Sequence, residues 1–162
     1  MSKPIHLSLV SFVAFMTLQF SVKGQLREYV ANDLDSILSV EQRPVVFFIH
    51  TDWCKICHRM MHTTFTNEQL IRMLNEEFYF VKLQAEDDQT IEFNGNSYEF
   101  KAHGTSSGVH EFALAVGEVD GKIAYPTISI LSKRKEIIFK HASFMTSDEL
   151  LGVLDRVKDL NP

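Results

Sequence analysis

Two cysteines three residues apart, Cys54 and Cys57, are the residues of this chain best suited to chemistry. Cys-x-x-Cys is the spacing of a redox pair, in which one thiolate attacks a disulfide and the second thiol resolves the product. With His58 the motif becomes Cys-x-x-Cys-His, the spacing of covalent c-type haem attachment. His58 and His62, one helical turn apart, also offer zinc ligands alongside the cysteines. The motif alone therefore leaves thiol chemistry, haem and zinc open.

Length, composition and charge narrow the class of protein. The chain has 162 residues, of which 45% are hydrophobic and 23% charged, as expected for one globular domain with a proper core. The formal net charge is -5 and no run of lysine or arginine is present. A nucleic-acid partner and an anionic membrane surface are both disfavoured, because each would call for a basic patch.

The first 24 residues have the pattern of an export signal. Lys3 precedes an apolar segment from Leu7 to Phe20, and small residues follow up to Gly24. We expect a signal peptide over 1–24, cleaved after Gly24, and a periplasmic or secreted domain over 25–162 without a membrane span. An exported domain that depends on disulfides for its stability usually has several of them. A disulfide that closes so short a loop adds little to the stability of the fold. The cysteine pair is therefore expected to take part in a reaction and not to stabilise the fold.

The hydrophobic pattern places the motif between a strand and a helix. The run RPVVFFIH (43–50) is apolar and β-branched or aromatic, as in a strand buried on both faces of a central sheet. A short helix from Asn32 to about Glu41 is predicted before this strand, and a helix continues after the motif over His58–Thr64. Next come a helix capped by Thr66 or Asn67 and a second strand, FYFVKLQA (78–85).

From about residue 86 to 125 the pattern loosens. A hairpin is predicted around Asn94-Gly95-Asn96, followed by a short helix in GVHEFALAV (108–116) and a turn at Asp120-Gly121. The segments AYPTISIL (124–131) and EIIFKHA (136–142) are predicted to pair as strands across a turn at 133–135. The chain closes with an amphipathic helix capped by Thr146 or Ser147.

Three pieces of the chain resemble the thioredoxin superfamily, chiefly exported bacterial members and the soluble domains of membrane thiol reductases. They are PVVFFIHTDWCKIC (44–57), Tyr125-Pro126 followed by TISIL, and the closing helix. The resemblance implies an α/β thioredoxin fold, with a central mixed sheet flanked by helices and Pro126 in the cis form beside the cysteines. The sequence departs from the family in two places. Phe48 stands where members often have a buried acid, so deprotonation of Cys57 is expected to depend on water, on Asp52 or on a group outside the motif. The segment 86–125 is an insertion, expected to form a hairpin and a helix beside the active site before the cis-proline strand.

The setting of the motif decides among the three chemistries. A redox pair needs a position between a buried strand and the start of a helix, and Cys54 and Cys57 occupy such a position. Haem attachment would instead call for a mainly helical shell and a second axial ligand. We therefore favour thiol–disulfide exchange, treat His58 as coincidental, and expect His58 and His62 to be partly exposed helix residues without a metal.

The residues of the motif are expected to have distinct roles. Cys54, at the start of a helix, is the attacking nucleophile, and Cys57 resolves the mixed disulfide. Lys55 adds positive charge that stabilises the thiolate, and Trp53 shields the sulfur or packs at the rim of the site.

Near Pro126, the main chain of Tyr125 is expected to bind an extended substrate segment, with Thr127 beyond it contacting substrate or only packing. His110 and Glu111 are adjacent on a helix and do not face each other, so we expect structural roles for both.

These residues predict a thiol–disulfide oxidoreductase that acts on protein disulfides without a cofactor, with reduction slightly favoured over oxidation by the resemblance. Its electron partner is expected to be a membrane-embedded thiol reductase or oxidase. The alternative is a non-catalytic thioredoxin-like module that binds clients or senses redox state. Haem attachment through the Cys-x-x-Cys-His spacing is the third and least favoured interpretation.

Overall fold

The structure is a computed structural model that describes residues 24–104 and 107–160. The predicted signal peptide lies outside the described residues, apart from Gly24. Within the described ranges, a 3-10 turn (Ala31–Asp33) precedes the helices α1 (Leu34–Val40), α2 (Lys55–Thr63), α3 (Glu68–Glu77), α4 (Glu111–Gly117) and α5 (Ser147–Leu160). The strands are β1 (Val45–His50), β2 (Tyr79–Gln84), β3 (Ile91–Phe93), β4 (Asn96–Tyr98), β5 (Phe100–Ala102), β6 (Gly108–His110), β7 (Thr127–Leu131) and β8 (Ile137–His141). No helix of the described part combines the length and apolarity needed to span a bilayer.

A four-stranded mixed sheet in the order β2-β1-β7-β8 forms the centre of the domain. Strand β1 runs parallel to β2 and antiparallel to β7, and β7 runs antiparallel to β8. All six residues of β1 are buried, as the continuous apolar run predicts for a central strand. The predicted strand order along the chain and the central mixed sheet are confirmed.

Alternating residues of β1 face two separate hydrophobic cores. Val46 and Phe48 belong to the core that α2, α3 and α5 cover. Phe47 and Ile49 belong to the other core, which the 3-10 turn, α1, β3 and α4 cover. The sheet is thus a middle layer between helices, with the insertion supplying part of one outer layer.

The sequence offers two candidate cap residues for α3 and two for α5, and the structure shows which residue caps each helix. The Asn67 side chain accepts a hydrogen bond from the N–H of Leu70, which caps α3. At the start of α5, Thr146 Oγ1 accepts from the N–H of Glu149, and the Glu149 carboxylate accepts from the N–H of Thr146. This reciprocal pair is a capping box, which satisfies backbone donors that the helix leaves unpaired.

The insertion contains two hairpins rather than one. The predicted hairpin is β3–β4, joined by Asn94 and Gly95, which both have the positive φ that a tight two-residue turn requires. The second hairpin, β5–β6, differs from the prediction, which places Gly108–His110 in a helix. These residues pair with Phe100–Ala102 instead, and α4 begins one residue later.

The β3–β4 hairpin lies away from the cysteines, contrary to expectation. Asp35 accepts hydrogen bonds from the N–H of Asn94 and from Lys135 Nζ, both at 2.6 Å. Lys135 belongs to the turn that leaves the far end of β7, whereas the cysteine motif follows the opposite end of the sheet. The two ends of the insertion do reach the motif, since Glu86 and Tyr125 both contact Trp53. At the end of α4, a methyl group on Gly117 would collide with Ile49 of β1.

Phe112 connects the insertion to the central sheet, and its truncation should be costly. Its fully buried ring makes edge contacts with Phe47, Phe93 and Tyr98 at centroid distances of 5.5, 5.4 and 5.1 Å. Phe112→Ala should lower the free energy of unfolding by about 3–5 kcal/mol, because it leaves a cavity at this junction. Urea unfolding followed by circular dichroism measures the loss. Leu114→Ala, on a half-buried position of the same helix, is the matched control, and an equal loss in both variants would contradict this role of Phe112.

Candidate active site

The cysteine pair lies where the buried strand β1 gives way to the N-terminus of α2. Cys54 is the N-cap residue of α2, and its Sγ accepts a hydrogen bond from the N–H of Cys57 at 3.0 Å. The two sulfurs form a disulfide. A helix N-terminus presents unpaired N–H groups and a positive partial charge, so a thiolate on Cys54 would be stabilised after reduction.

Both cysteines are buried, and they differ in the charge beside them. Cys54 is 5% exposed and Cys57 2%, and both contribute to the core beneath α2. Lys55, the first residue of α2, is exposed and places a positive charge next to Cys54. The geometry thus offers Cys54 the better-stabilised thiolate, in keeping with its predicted role as nucleophile.

Trp53 forms the outer rim of the site with two partners. The indole is 65% exposed, and its Nε1–H donates to both carboxylate oxygens of Glu86, at 3.1 and 3.0 Å. Its ring meets that of Tyr125 edge to face at a centroid distance of 5.8 Å. Glu86 is a residue that the sequence does not reveal as part of the site, because 33 residues separate it from Trp53.

The segment 125–127 reaches the same end of the sheet as the motif. The Tyr125–Pro126 peptide bond is cis, as the resemblance implies, and Pro126 is buried. Thr127 pairs with Ile49 near the end of β1, and its fully buried hydroxyl donates to the carbonyl of Ala124 at 2.7 Å. This geometry favours packing over substrate contact for the Thr127 side chain. Burial, aided by the charge of Glu86, raises the pKa of Tyr125 to about 12, so its phenol stays neutral.

On the inner side, a cavity of about 40 Å³ reaches Cys57. The cavity is lined by two buried titratable groups, three exposed ones and three other side chains: Cys57, His50; Asp52, His58, Lys82; Phe48, Thr51, Met61. His50 is 8% exposed, and its ring stacks on that of Phe48 at a centroid distance of 5.6 Å. Burial, followed by the nearby charge of Lys82, lowers the pKa of His50 below its ordinary value. In the sequence, the one signal for this arrangement is a polar residue at the end of an apolar strand.

His110 and Glu111 have separate structural roles, and His58 and His62 are exposed residues of α2. His110 caps α4, since its Nδ1 accepts from the N–H of Phe112 at 3.0 Å while Nε2–H donates to the carbonyl of Gln89. Glu111 accepts from the N–H of Glu99, so the two side chains point to different partners. His58 Nε2–H donates to the carbonyl of Asp52 at 2.8 Å. No group of three or more potential metal ligands occurs within residues 24–104 and 107–160.

Residues 31–158 match the family of the thioredoxin-like domain. The match includes the motif, the cis-proline segment and the insertion. No curated protein matches the sequence.

Solved structures share the fold at low sequence identity. A thioredoxin from Thermus thermophilus is 17% identical, with a TM-score of 0.59 over 83% of this chain and 88% of that one. The DsbH oxidoreductase is 10% identical, with a TM-score of 0.57 over 83% and 85% of the two chains. The reduced C-terminal domain of DsbD from Neisseria meningitidis is 15% identical, with a TM-score of 0.50 over 79% and 98%. At such identities the likeness concerns the fold alone.

The contact between Trp53 and Glu86 predicts a restrained indole. Glu86→Ala removes the acceptor of the Nε1–H, so the fluorescence anisotropy of Trp53, the single tryptophan of the chain, should fall. Asp88→Ala, which removes an exposed acid of the same loop, should leave the anisotropy unchanged. Equal anisotropy in Glu86→Ala and the unaltered protein would show that the hydrogen bond does not hold the ring.

Proposed function

We propose, on the premise that the chain belongs to the thioredoxin-like domain family, that it is a thiol–disulfide oxidoreductase acting on protein disulfides. The observation that carries the proposal is the position of Cys54, whose sulfur accepts the N–H of Cys57 at the start of α2 and is joined to Cys57 in a disulfide. This geometry stabilises one thiolate and holds a second cysteine within bonding distance of it.

The reaction in the direction of reduction has two steps. The Cys54 thiolate attacks one sulfur of the client disulfide, and the other client sulfur leaves as a thiolate. The Cys57 thiolate then attacks Cys54 Sγ, which releases the second client thiolate and forms the Cys54–Cys57 disulfide. Two electrons pass from the cysteine pair to the client. Oxidation of a client dithiol is the same sequence in reverse.

The rim of the site supports binding of an extended polypeptide. Trp53 and Ile56 are exposed apolar side chains on either side of Cys54, at 65% and 51% exposure. Tyr125 and the cis peptide bond close the rim, and the main chain there would pair with a client segment in the manner of an added strand. Polypeptides with disulfides fit this surface because recognition depends on the backbone and on apolar contact.

Reduction is the direction we propose, with a membrane-embedded thiol reductase as the partner that restores the dithiol. An oxidase would take its place if the protein oxidises its clients. Export to the periplasm or the outside of the cell would place the protein with such partners, and it remains a prediction from the apolar N-terminal segment. The strand–motif–helix order that argues against haem is the order present in the structure.

Replacing each cysteine separates catalysis from simple client binding. In the reduction of insulin by dithiothreitol, the unaltered protein should accelerate turnover, and both Cys57→Ser and Cys54→Ser should abolish the acceleration. Cys57→Ser should accumulate a mixed disulfide through Cys54, visible on a non-reducing gel, whereas Cys54→Ser should not, because it lacks the nucleophile. A protein that holds insulin equally well with and without Cys57, and never accelerates its reduction, would be a binding module.

The reduction potential of the pair tests the direction. Equilibration with graded thiol buffers should give about -230 mV or lower, the range of reductants, whereas a value near about -120 mV would make the protein an oxidant. If no disulfide formed at any buffer ratio, thiol–disulfide chemistry would be excluded. A coloured purified protein would then point to haem.

A further inference from the structure

The proposed reaction leaves one proton without an acceptor. Cys57 must lose its proton before it attacks Cys54, yet its side chain is 2% exposed and belongs to a hydrophobic core. An apolar environment disfavours the charged thiolate, so an acceptor has to lie close by. The strand position that often carries an acid in related proteins holds Phe48, which is fully buried and cannot accept a proton.

The cavity beneath the motif contains a group that can do so. We propose that His50 transfers the proton to and from Cys57 across this cavity, through one bridging water. This inference rests on the proposed function and identifies a further residue for that reaction. His50 and Cys57 line the same cavity, and among its lining residues these two are the buried titratable groups.

The cavity has the size and polarity that a water relay needs. Its volume is about 40 Å³, and a site for one water needs only about 10–15 Å³. Thr51 Oγ1 is buried and has no hydrogen-bond partner within the described part of the chain, although Thr51 lines the cavity. A buried hydroxyl without a partner is costly, so a water contacting Thr51, His50 and Cys57 would satisfy it.

The charges around His50 keep its imidazole available as a base. Burial is the main cause of its lowered pKa, and Lys82 on β2 and His58 on α2 act in the same direction. Asp52 and a backbone hydrogen bond at Thr51 act against them. A lowered pKa means that the imidazole is neutral at neutral pH and becomes protonated only below its ordinary range. The neutral ring accepts a proton, as a base for Cys57 requires.

The step balances in protons and electrons. The Cys57 S–H bond breaks as the bridging water passes a proton to the His50 imidazole, and the thiolate attacks Cys54 Sγ. A Cys54–Cys57 bond forms, and the bond between Cys54 and the client sulfur breaks. The client leaves as a thiolate, and imidazolium gives its proton back to solvent. In the reverse direction, imidazolium protonates Cys57 as it leaves.

A single-turnover reaction with dithiobis(nitrobenzoate) resolves the two steps. The reduced protein should release one coloured thiolate when Cys54 attacks and a second when Cys57 resolves the mixed disulfide. His50→Gln should leave the first phase within about twofold and slow the second about a hundredfold, the lower end of general acid–base contributions. His62→Gln, which removes an exposed imidazole near the end of α2, the helix that carries Cys57, should change neither phase. An unchanged second phase in His50→Gln would overturn the assignment.

The pH profile distinguishes proton transfer from a structural effect. In the unaltered protein the second phase should slow in acid with an inflection that matches the His50 titration followed by NMR. This measurement needs no variant, so it remains decisive if His50→Gln does not fold. An inflection unrelated to His50, or a second phase slowed by His58→Gln and not by His50→Gln, would refute the proposal.

If the proposed thiol–disulfide activity is itself absent, the same reaction gives a different number of released thiolates. If the unaltered protein released only one thiolate, as Cys57→Ser should, resolution by Cys57 would be disproved together with the role of His50. Two releases in the unaltered protein with no effect of His50→Gln would disprove only the proton transfer.

Discussion

Burial of β1 on both faces is the constraint on which the rest of the structure depends. A strand with six buried residues needs hydrogen-bonding partners on both sides, which β2 and β7 supply, and a covering layer on each face. A shift of one residue in register would exchange Phe47 and Phe48 between the two cores. The end of β1 is therefore fixed in space, and the cysteine motif that follows it begins at a defined point.

That fixed point gives the two cysteines unlike surroundings. The outer side of the pair meets solvent, Lys55 and the exposed rim around Trp53, where a polypeptide can approach. The inner side meets the core and the small cavity at the end of β1. One sulfur is thus suited to meeting a client and the other to an exchange within the domain. Cys54 is the N-cap of α2 beside the exposed Lys55, whereas Cys57 lies within the first turn and lines the cavity.

Most of the architecture could be predicted from sequence, because it depends on local periodicity. The apolar run of β1, the helical spacing of α3 and α5, and the Asn94-Gly95 turn each specify their element within a few residues. The β5–β6 hairpin could not be predicted, since its strands are three residues each and their pairing gains from tertiary packing.

The residues of the site also differ in whether the sequence reveals them. Cys54, Cys57 and Pro126 are recognisable from motif and spacing, and the replacement of an acid by Phe48 was visible in the sequence. Glu86 and His50 were not identified as neighbours of the site, because each meets its partners through the fold. The contact of Glu86 with Trp53 depends on where the loop after β2 lies. His50 pairs with Gln84 in the β1–β2 register, and its closeness to Lys82 and Cys57 depends on this pairing and on the cavity beneath α2.

The insertion covers part of one face of the sheet, and this limits how the domain can be shortened. Asp35, Lys135 and Asn94 join three parts of the chain far apart in sequence, and Gly117 lets α4 lie directly against Ile49. Excising residues 86–125 would therefore uncover the part of this apolar face that α1 and the 3-10 turn do not cover. A version of the domain without the segment would need another element to cover that part of the sheet, so the segment belongs to the fold and is not a removable loop.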